Sequence, residues 1–167
     1  MKVTVIGAGG NIGRNLVKAL AAAGHEVIPA TRKELDLLAL PEWCPRSLHG
    51  EAVYICAAMT RFIECEDHPE AYRINVDATV QIGRWFSKCI YLSSEAVERG
   101  LHTNYGMHKA LAEMGLRTVC DPTIARLGKV DAASMDSACG FLVSLLDAKP
   151  GVHRWRASDR PALAVAA

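Results

Sequence analysis

The sequence predicts an α/β protein, built as a Rossmann-type doubly wound parallel sheet in three layers. Three observations carry that prediction. Short β-branched or apolar runs alternate along the chain with stretches of helical periodicity, and strands joined by helical crossovers need a parallel sheet covered on both faces. The first of these runs leads directly into a glycine-rich turn, Gly7-Ala-Gly-Gly-Asn-Ile-Gly13. A length of 167 residues with 50% hydrophobic content suits one domain over residues 1–167.

The elements follow in order. Lys2 to Ile6 reads as a buried strand, and Asn11 to Ala23 as a helix with Ile12, Leu16, Val17 and Leu20 on one face. Glu26 to Ala30 is the second strand. The segment from Leu35 to Gly50 is less regular, interrupted by Pro41 and Pro45; a short strand at Glu34 to Leu37 and a stunted helix starting near Pro41 are expected there. Ala52 to Ala57 is strand-like, and the helix following Asn75 is anchored against the sheet by Trp85 and Phe86. Cys89 to Leu92 is a strand whose run continues through Ser93 and Ser94, and a helix starts near Thr103 or Asn104. Thr123 to Leu127 is a strand, Ala133 to Ala148 a helix, and Gly151 to Ala157 a last strand in which His153 and Trp155 alternate with Arg154 and Arg156. Residues 128–167 form a reduced region on the substrate side, and Pro161 to Ala167 reads as a frayed end.

The glycine turn suits a dinucleotide. Gly7, Gly10 and Gly13 allow a tight turn, a close approach of backbone N–H groups to phosphate, and close packing of helix on strand. The helix end that follows, at Asn11 and Ile12, adds partial positive charge. A strand-to-helix turn of this kind can also be structural alone. Cofactor choice is read at the end of the second strand, where Thr31-Arg32-Lys33 offers no acid for an adenosine ribose. Arg32 can take a 2′-phosphate in a bidentate contact, which favours NADP over NAD; Arg14 adds positive charge nearby, and Asp36 is the competing carboxylate.

Ser94, Tyr105 and Lys109 are the candidate catalytic groups. Hydride transfer at a carbinol carbon needs a partner for the hydroxyl proton. Tyr105 can serve if its phenolate is stabilised by about 4 kcal/mol, roughly the cost of moving a phenol from 10 to neutrality. Lys109 lies one helical turn on, on the same face, and the helix start adds its dipole. Ser94 emerges at the carboxyl edge of its strand, where parallel α/β sheets carry their sites, and its hydroxyl can bond the substrate oxygen.

Together these residues resemble the short-chain dehydrogenase/reductase superfamily, and within it the extended group of nucleotide-sugar epimerases, dehydratases and dTDP-4-dehydrorhamnose reductase-like proteins. The resemblance runs through the glycine turn, Ala57-Ala58, Asn75-Val-Asp-Ala-Thr79, Ser93-Ser94, Tyr105-x-x-x-Lys109 and Arg126-Leu-Gly-Lys-Val130. It implies NAD(P) along the carboxyl edge of the sheet and a Ser94/Tyr105/Lys109 triad. It also implies small Ala57 and Ala58 lining the cofactor, with Tyr105 and Lys109 against its nicotinamide ribose. The chain departs from the pattern in four places. Ser94 and Tyr105 stand only eleven positions apart, little follows Val130, and Leu127 and Ala78 replace an expected proline and glycine.

The formal net charge of +1 and scattered charges exclude a basic nucleic-acid footprint or a polybasic membrane surface. The longest apolar runs are too short for a bilayer, and with a strand entered at Lys2 a cytoplasmic location is expected. Six cysteines without a Cys-x-x-Cys or zinc-finger spacing read as reduced, buried thiols with no metal. His108 reads as a surface histidine on another face of the Lys109 helix. The leading expectation is an NAD(P)-dependent oxidoreductase or epimerase acting on a small-molecule carbonyl or hydroxyl. The alternatives are a catalytically silent NAD(P) sensor and a partner-dependent interaction protein. A homodimer on helices 66–86 and 104–115 would follow the family's habit.

Overall fold

The computed structural model describes residues 1–99 and 102–159. Six strands, β1 (Lys2–Ile6), β2 (Glu26–Ala30), β3 (Ala52–Ile55), β4 (Cys89–Ser94), β5 (Thr123–Leu127) and β6 (Gly151–Trp155), form one parallel sheet in the order β2-β1-β3-β4-β5-β6. From β1 the chain winds outward to β2, then returns to β3 on the other side of β1. The carboxyl ends of β1 and β3 therefore flank the crevice where connections diverge, the place such sheets bind ligands.

Helices α1 (Asn11–Ala22) and α6 (Met135–Ser144) cover one face of the sheet. The other face carries α2 (Phe62–Asp67), α3 (Glu70–Tyr72), α4 (Ala78–Gly83) and α5 (Asn104–Arg117). The period-two pleat sorts the core between them. Val3, Val5, Tyr54, Ile90 and Leu92 pack toward α1 and α6, whereas Ile6, Val53, Ile55, Cys89 and Tyr91 pack toward α4 and α5. Tyr54 buries its ring and donates its hydroxyl proton to the Leu142 carbonyl of α6 at 2.7 Å. Phe86 packs into the second cluster and Trp85 Nε1 donates to the Glu42 carbonyl, so this pair does anchor the α4 segment.

Between α3 and α4 the helix widens to a π turn over Arg73–Asp77. Asn75, 1% exposed, sits there, and its side-chain amide both donates to the Met59 carbonyl (2.9 Å) and accepts from the Met59 N–H (2.8 Å). A buried amide needs partners of both kinds, and these two tie the loop after β3 to the helix.

The expected strand at Glu34 to Leu37 does not form. Side chains close the backbone into turns instead: Glu34 Oε2 accepts from the Thr31 N–H at 2.8 Å and from Thr31 Oγ1 at 2.6 Å, and Asp36 Oδ1 accepts from the Leu38 N–H at 3.0 Å. Nor does a helix start at Pro41; the first helical turn after β2 is a 3₁₀ turn at Arg46–Leu48. Ala57 and Ala58 thus follow the third strand of the sheet, not the fourth. Residues 161–167, read as a frayed end, lie outside the described residues. Among the described residues no helix is long and apolar enough to cross a membrane.

Candidate functional site

The glycine turn takes its shape from two close approaches. Gly7 has φ +87°, and a Cβ there would lie 2.6 Å from the Ala57 nitrogen; a Cβ on Gly13 would lie 2.2 Å from the Gly7 carbonyl oxygen. Side chains are thus excluded at both positions, which lets α1 begin against the ends of β1 and β3. Gly10 caps α1 with extended backbone, no side chain bonds the helix start, and no acid stands in its first turn. The N–H groups of that turn have no intrahelical partner.

Two cavities open on this turn. The first, about 360 Å³, is bounded by the turn, the end of β2 and the loops after β2 and β3. The second, about 320 Å³, runs from the start of α1 across the end of β4 to α5. Gly7, Arg32 and Ala57 line the first; Asn11, Ile12, Gly13, Ser94, Tyr105 and Lys109 line the second; Gly10 and Ala58 line both. The sheet edge therefore gathers the residues singled out in the sequence into one groove. Cys56, Thr60 and Gly128, which sequence reasoning did not single out, also line the second cavity. Gly128 and Val130 reach it from beyond β5, whereas α6 packs against α1 and β6 forms the sheet edge.

At the mouth of the first cavity Arg32 is exposed and pairs with no carboxylate among the described residues. The neighbouring acids are committed to their own turns: the Glu34 carboxyl is held below its usual range by the Thr31 hydroxyl and N–H, and Asp36 caps Leu38.

In the second cavity α5 is fixed at its start by Thr103, whose hydroxyl accepts from the Gly106 N–H at 3.1 Å, and by Glu66, which accepts from the Asn104 N–H at 2.8 Å. Tyr105, Lys109 and Glu113 then fall on one face, toward β4. Lys109 is 4% exposed; its Nζ donates to the Leu92 carbonyl at 2.7 Å, lies 4.7 Å above the Tyr91 ring, and stands 5.9 Å from the Tyr105 ring centre. Burial pushes its ammonium down to about 8. Tyr105 is faced by Ser94 from β4, Cys65 from α2 and Lys109 on its own helix. Burial raises its phenol above the usual value, while the nearby Ser94 hydroxyl works the other way. The expected depression by Lys109 is thus not the outcome, since desolvation of the ring is the largest effect and the lysine's charge is directed at the Leu92 carbonyl. Ser94 Oγ also accepts from the Ala96 N–H at 3.2 Å and so opens the 3₁₀ turn Glu95–Val97.

His108 is not on the surface. Tyr72 of α3 meets its ring edge-on at 5.5 Å, leaving it 7% exposed, and burial lowers its pKa. The pattern of α5 alone does not reveal that α3 covers this face. Among the described residues no group of three or more His, Cys, Asp or Glu is placed to hold a metal ion, and the cysteines are free thiols.

The family model described as the RmlD substrate binding domain matches residues 1–110. The dTDP-4-dehydrorhamnose reductase of Mycolicibacterium smegmatis is 35% identical over 75 residues, which span 44% of this chain and 23% of that protein. Among solved structures, dTDP-4-dehydrorhamnose reductase from Bacillus anthracis in complex with NADP superposes with a TM-score of 0.77 at 15% identity, over 92% of this chain and 74% of that one. MoeE5 in complex with UDP-glucuronic acid and NAD superposes with a TM-score of 0.72 at 19% identity, over 93% of this chain and 76% of that one. At these identities the structural likeness speaks to the fold.

Proposed function

Because the chain belongs to the RmlD substrate binding domain family, we propose that it is an NAD(P)-dependent oxidoreductase. It acts by hydride transfer at a carbonyl or hydroxyl carbon of a small-molecule, sugar-nucleotide-related substrate, and NADP is the preferred cofactor. The observation that carries this reading is the pair of cavities meeting at Gly10 and Ala58, one reaching Arg32 and the other reaching Ser94, Tyr105 and Lys109. The two halves of a dinucleotide need such a pair, joined where the pyrophosphate crosses a glycine turn. The turn fits that use, because a Cβ at Gly7 or Gly13 would collide with backbone while Gly10 lines the groove.

When bound, the nicotinamide supplies or accepts the hydride. The first turn of α1 faces the pyrophosphate with its open N–H groups and the positive end of the helix. Arg32, whose guanidinium is exposed at the mouth of the first cavity, takes the 2′-phosphate, which supports NADP. Ser94 Oγ donates to the substrate oxygen and Tyr105 Oη exchanges a proton with it. Burial raises the Tyr105 phenol above its usual value, so in the reduction direction Tyr105 Oη carries the proton that it gives to the forming alkoxide. Lys109 holds positive charge beside the ring as phenolate character develops. A homodimer through the α3 and α5 face belongs to the same reading, supported by exposed Tyr72, Met107 and Met114.

The test is turnover of NADPH with a panel of sugar-nucleotide carbonyl substrates, followed by its near-ultraviolet absorbance, in the wild type and Tyr105→Phe. The variant is expected to bind NADPH as the wild type does and to turn over about 100-fold or more slowly. Undiminished turnover would remove Tyr105 from the mechanism, and cofactor binding without turnover of any substrate would favour a sensor.

A further inference from the structure

Below the proposed reacting groups lies a buried charge cluster that the reading above leaves without a task. Glu113, one turn beyond Lys109 on α5, is 2% exposed. Its Oε1 accepts from Ser93 Oγ at 2.6 Å and from Arg126 Nε at 2.9 Å, and its Oε2 accepts from Arg126 Nη2 at 2.7 Å. The pair is bidentate and joins three elements, since Ser93 and Arg126 are register partners on β4 and β5 while Glu113 comes from α5. The guanidinium does not stop there. Arg126 Nη1 donates to Glu98 Oε1 at 3.0 Å, and Glu98 closes the 3₁₀ turn that Ser94 opens.

One fork of Arg126 thus holds the helix that carries Tyr105 and Lys109, and the other holds the turn that carries Ser94. No other residue described above bonds both the helix and that turn. We propose that Arg126 is a positioning residue: through Glu113 and Glu98 it sets the distance between Ser94 and the Tyr105–Lys109 face, and so keeps the Ser94 hydroxyl against the Tyr105 phenol. The inference rests on the reading of these three as the reacting groups, yet it concerns their geometry and is testable without a substrate. A lysine in place of Arg126 keeps the charge opposite Glu113 but lacks the second fork. Glu98 is shared with Arg154 and Arg156 at the surface, so its removal leaves the Glu113–Arg126 pair in place.

The experiment is a spectrophotometric titration of the Tyr105 phenol, isolated by subtracting a Tyr105→Phe baseline, in the wild type, Ser94→Ala, Arg126→Lys, Glu98→Ala and the double variants carrying Ser94→Ala. Loss of the Ser94 hydroxyl, which lines the same cavity as the phenol, is expected to raise the Tyr105 midpoint by about half a unit to one unit. Arg126→Lys and Glu98→Ala are expected to raise it in the same direction, and neither is expected to add to Ser94→Ala. A midpoint unmoved by both, or full additivity with Ser94→Ala, would overturn the proposal, as would a Ser94→Ala protein with the wild-type midpoint. Glu98→Ala keeps the test open if Arg126→Lys does not fold. NADPH binding measured on the same proteins separates the two readings: absence of binding in the wild type sinks the oxidoreductase and leaves the strut standing.

Discussion

Lys109→Met removes a charge that the fold holds at a cost, and the account predicts a gain in stability that fades as pH rises. A fall of the ammonium from 10.5 to about 8, at about 1.4 kcal/mol per unit, means that keeping it protonated in the folded state costs about 3 kcal/mol. The folded value lies below the unfolded one, so the cost is present in full below pH 8 and fades as pH rises toward 10.5. At pH 7 the cost is about 3 kcal/mol, and at pH 10 it falls below about 1 kcal/mol. Against that stands the hydrogen bond from Nζ to the Leu92 carbonyl, which methionine cannot make and which contributes about 1 kcal/mol. Lys109→Met is therefore expected to be about 2 kcal/mol more stable than the wild type at pH 7 and no more stable at pH 10. Urea unfolding followed by circular dichroism at the two pH values measures the difference directly. A variant less stable at pH 7, or a difference that does not change between pH 7 and 10, would refute the reasoning. The proposed function supplies the reason for carrying such a charge, since the same lysine faces Tyr105.

Two further predictions follow from the groove. Arg32→Ala is expected to weaken NADPH about 10- to 100-fold, the worth of one charge-assisted phosphate contact, with NADH affinity within about twofold of wild type; calorimetric titration of both cofactors checks it, and equal losses would show that Arg32 does not read the 2′-phosphate. Gly13→Ala would set a Cβ 2.2 Å from the Gly7 oxygen, while Gly9→Ala meets nothing closer than the Thr31 methyl at 3.8 Å. Thermal unfolding should show a loss of about 3 kcal/mol for the first and little change for the second.

The sheet was legible because buried parallel strands declare themselves locally. β1 and β5 are each an uninterrupted run bounded by turn residues, and the structure ends them where the composition changes. The glycine turn was legible in part for the same reason, since the Gly7 carbonyl excludes a side chain at Gly13, whereas the backbone that excludes one at Gly7 is that of Ala57, beyond β3. Glu34 to Leu37 misled because its apolar content suggests a strand, while capping by Glu34 and Asp36 side chains, invisible to periodicity, decides its backbone. His108 misled because its burial depends on α3, an element of only three residues. Ser94, Tyr105 and Lys109 meet in one cavity as their spacing suggested, but the direction of the Tyr105 pKa was not legible. It depends on how deeply the ring is buried and where Lys109 Nζ points, and both are set by β4. The Glu113–Arg126–Glu98 strut joins residues far apart in sequence, so no local pattern announces it.

The central claim is that the groove over Gly10 holds a nicotinamide dinucleotide, and fluorescence titration of the wild type and Gly10→Asp with NADPH and NADH tests it most directly. Gly10 has φ −72° and a Cβ there would meet only the Gly7 oxygen, at 3.3 Å. Aspartate is also a favourable residue to precede a helix, so the variant is expected to keep its stability. Its carboxylate would nevertheless stand where the pyrophosphate crosses. The account predicts saturable binding by the wild type with NADPH preferred, and its loss in a folded Gly10→Asp protein; undiminished binding in that variant, or none in the wild type, would contradict it.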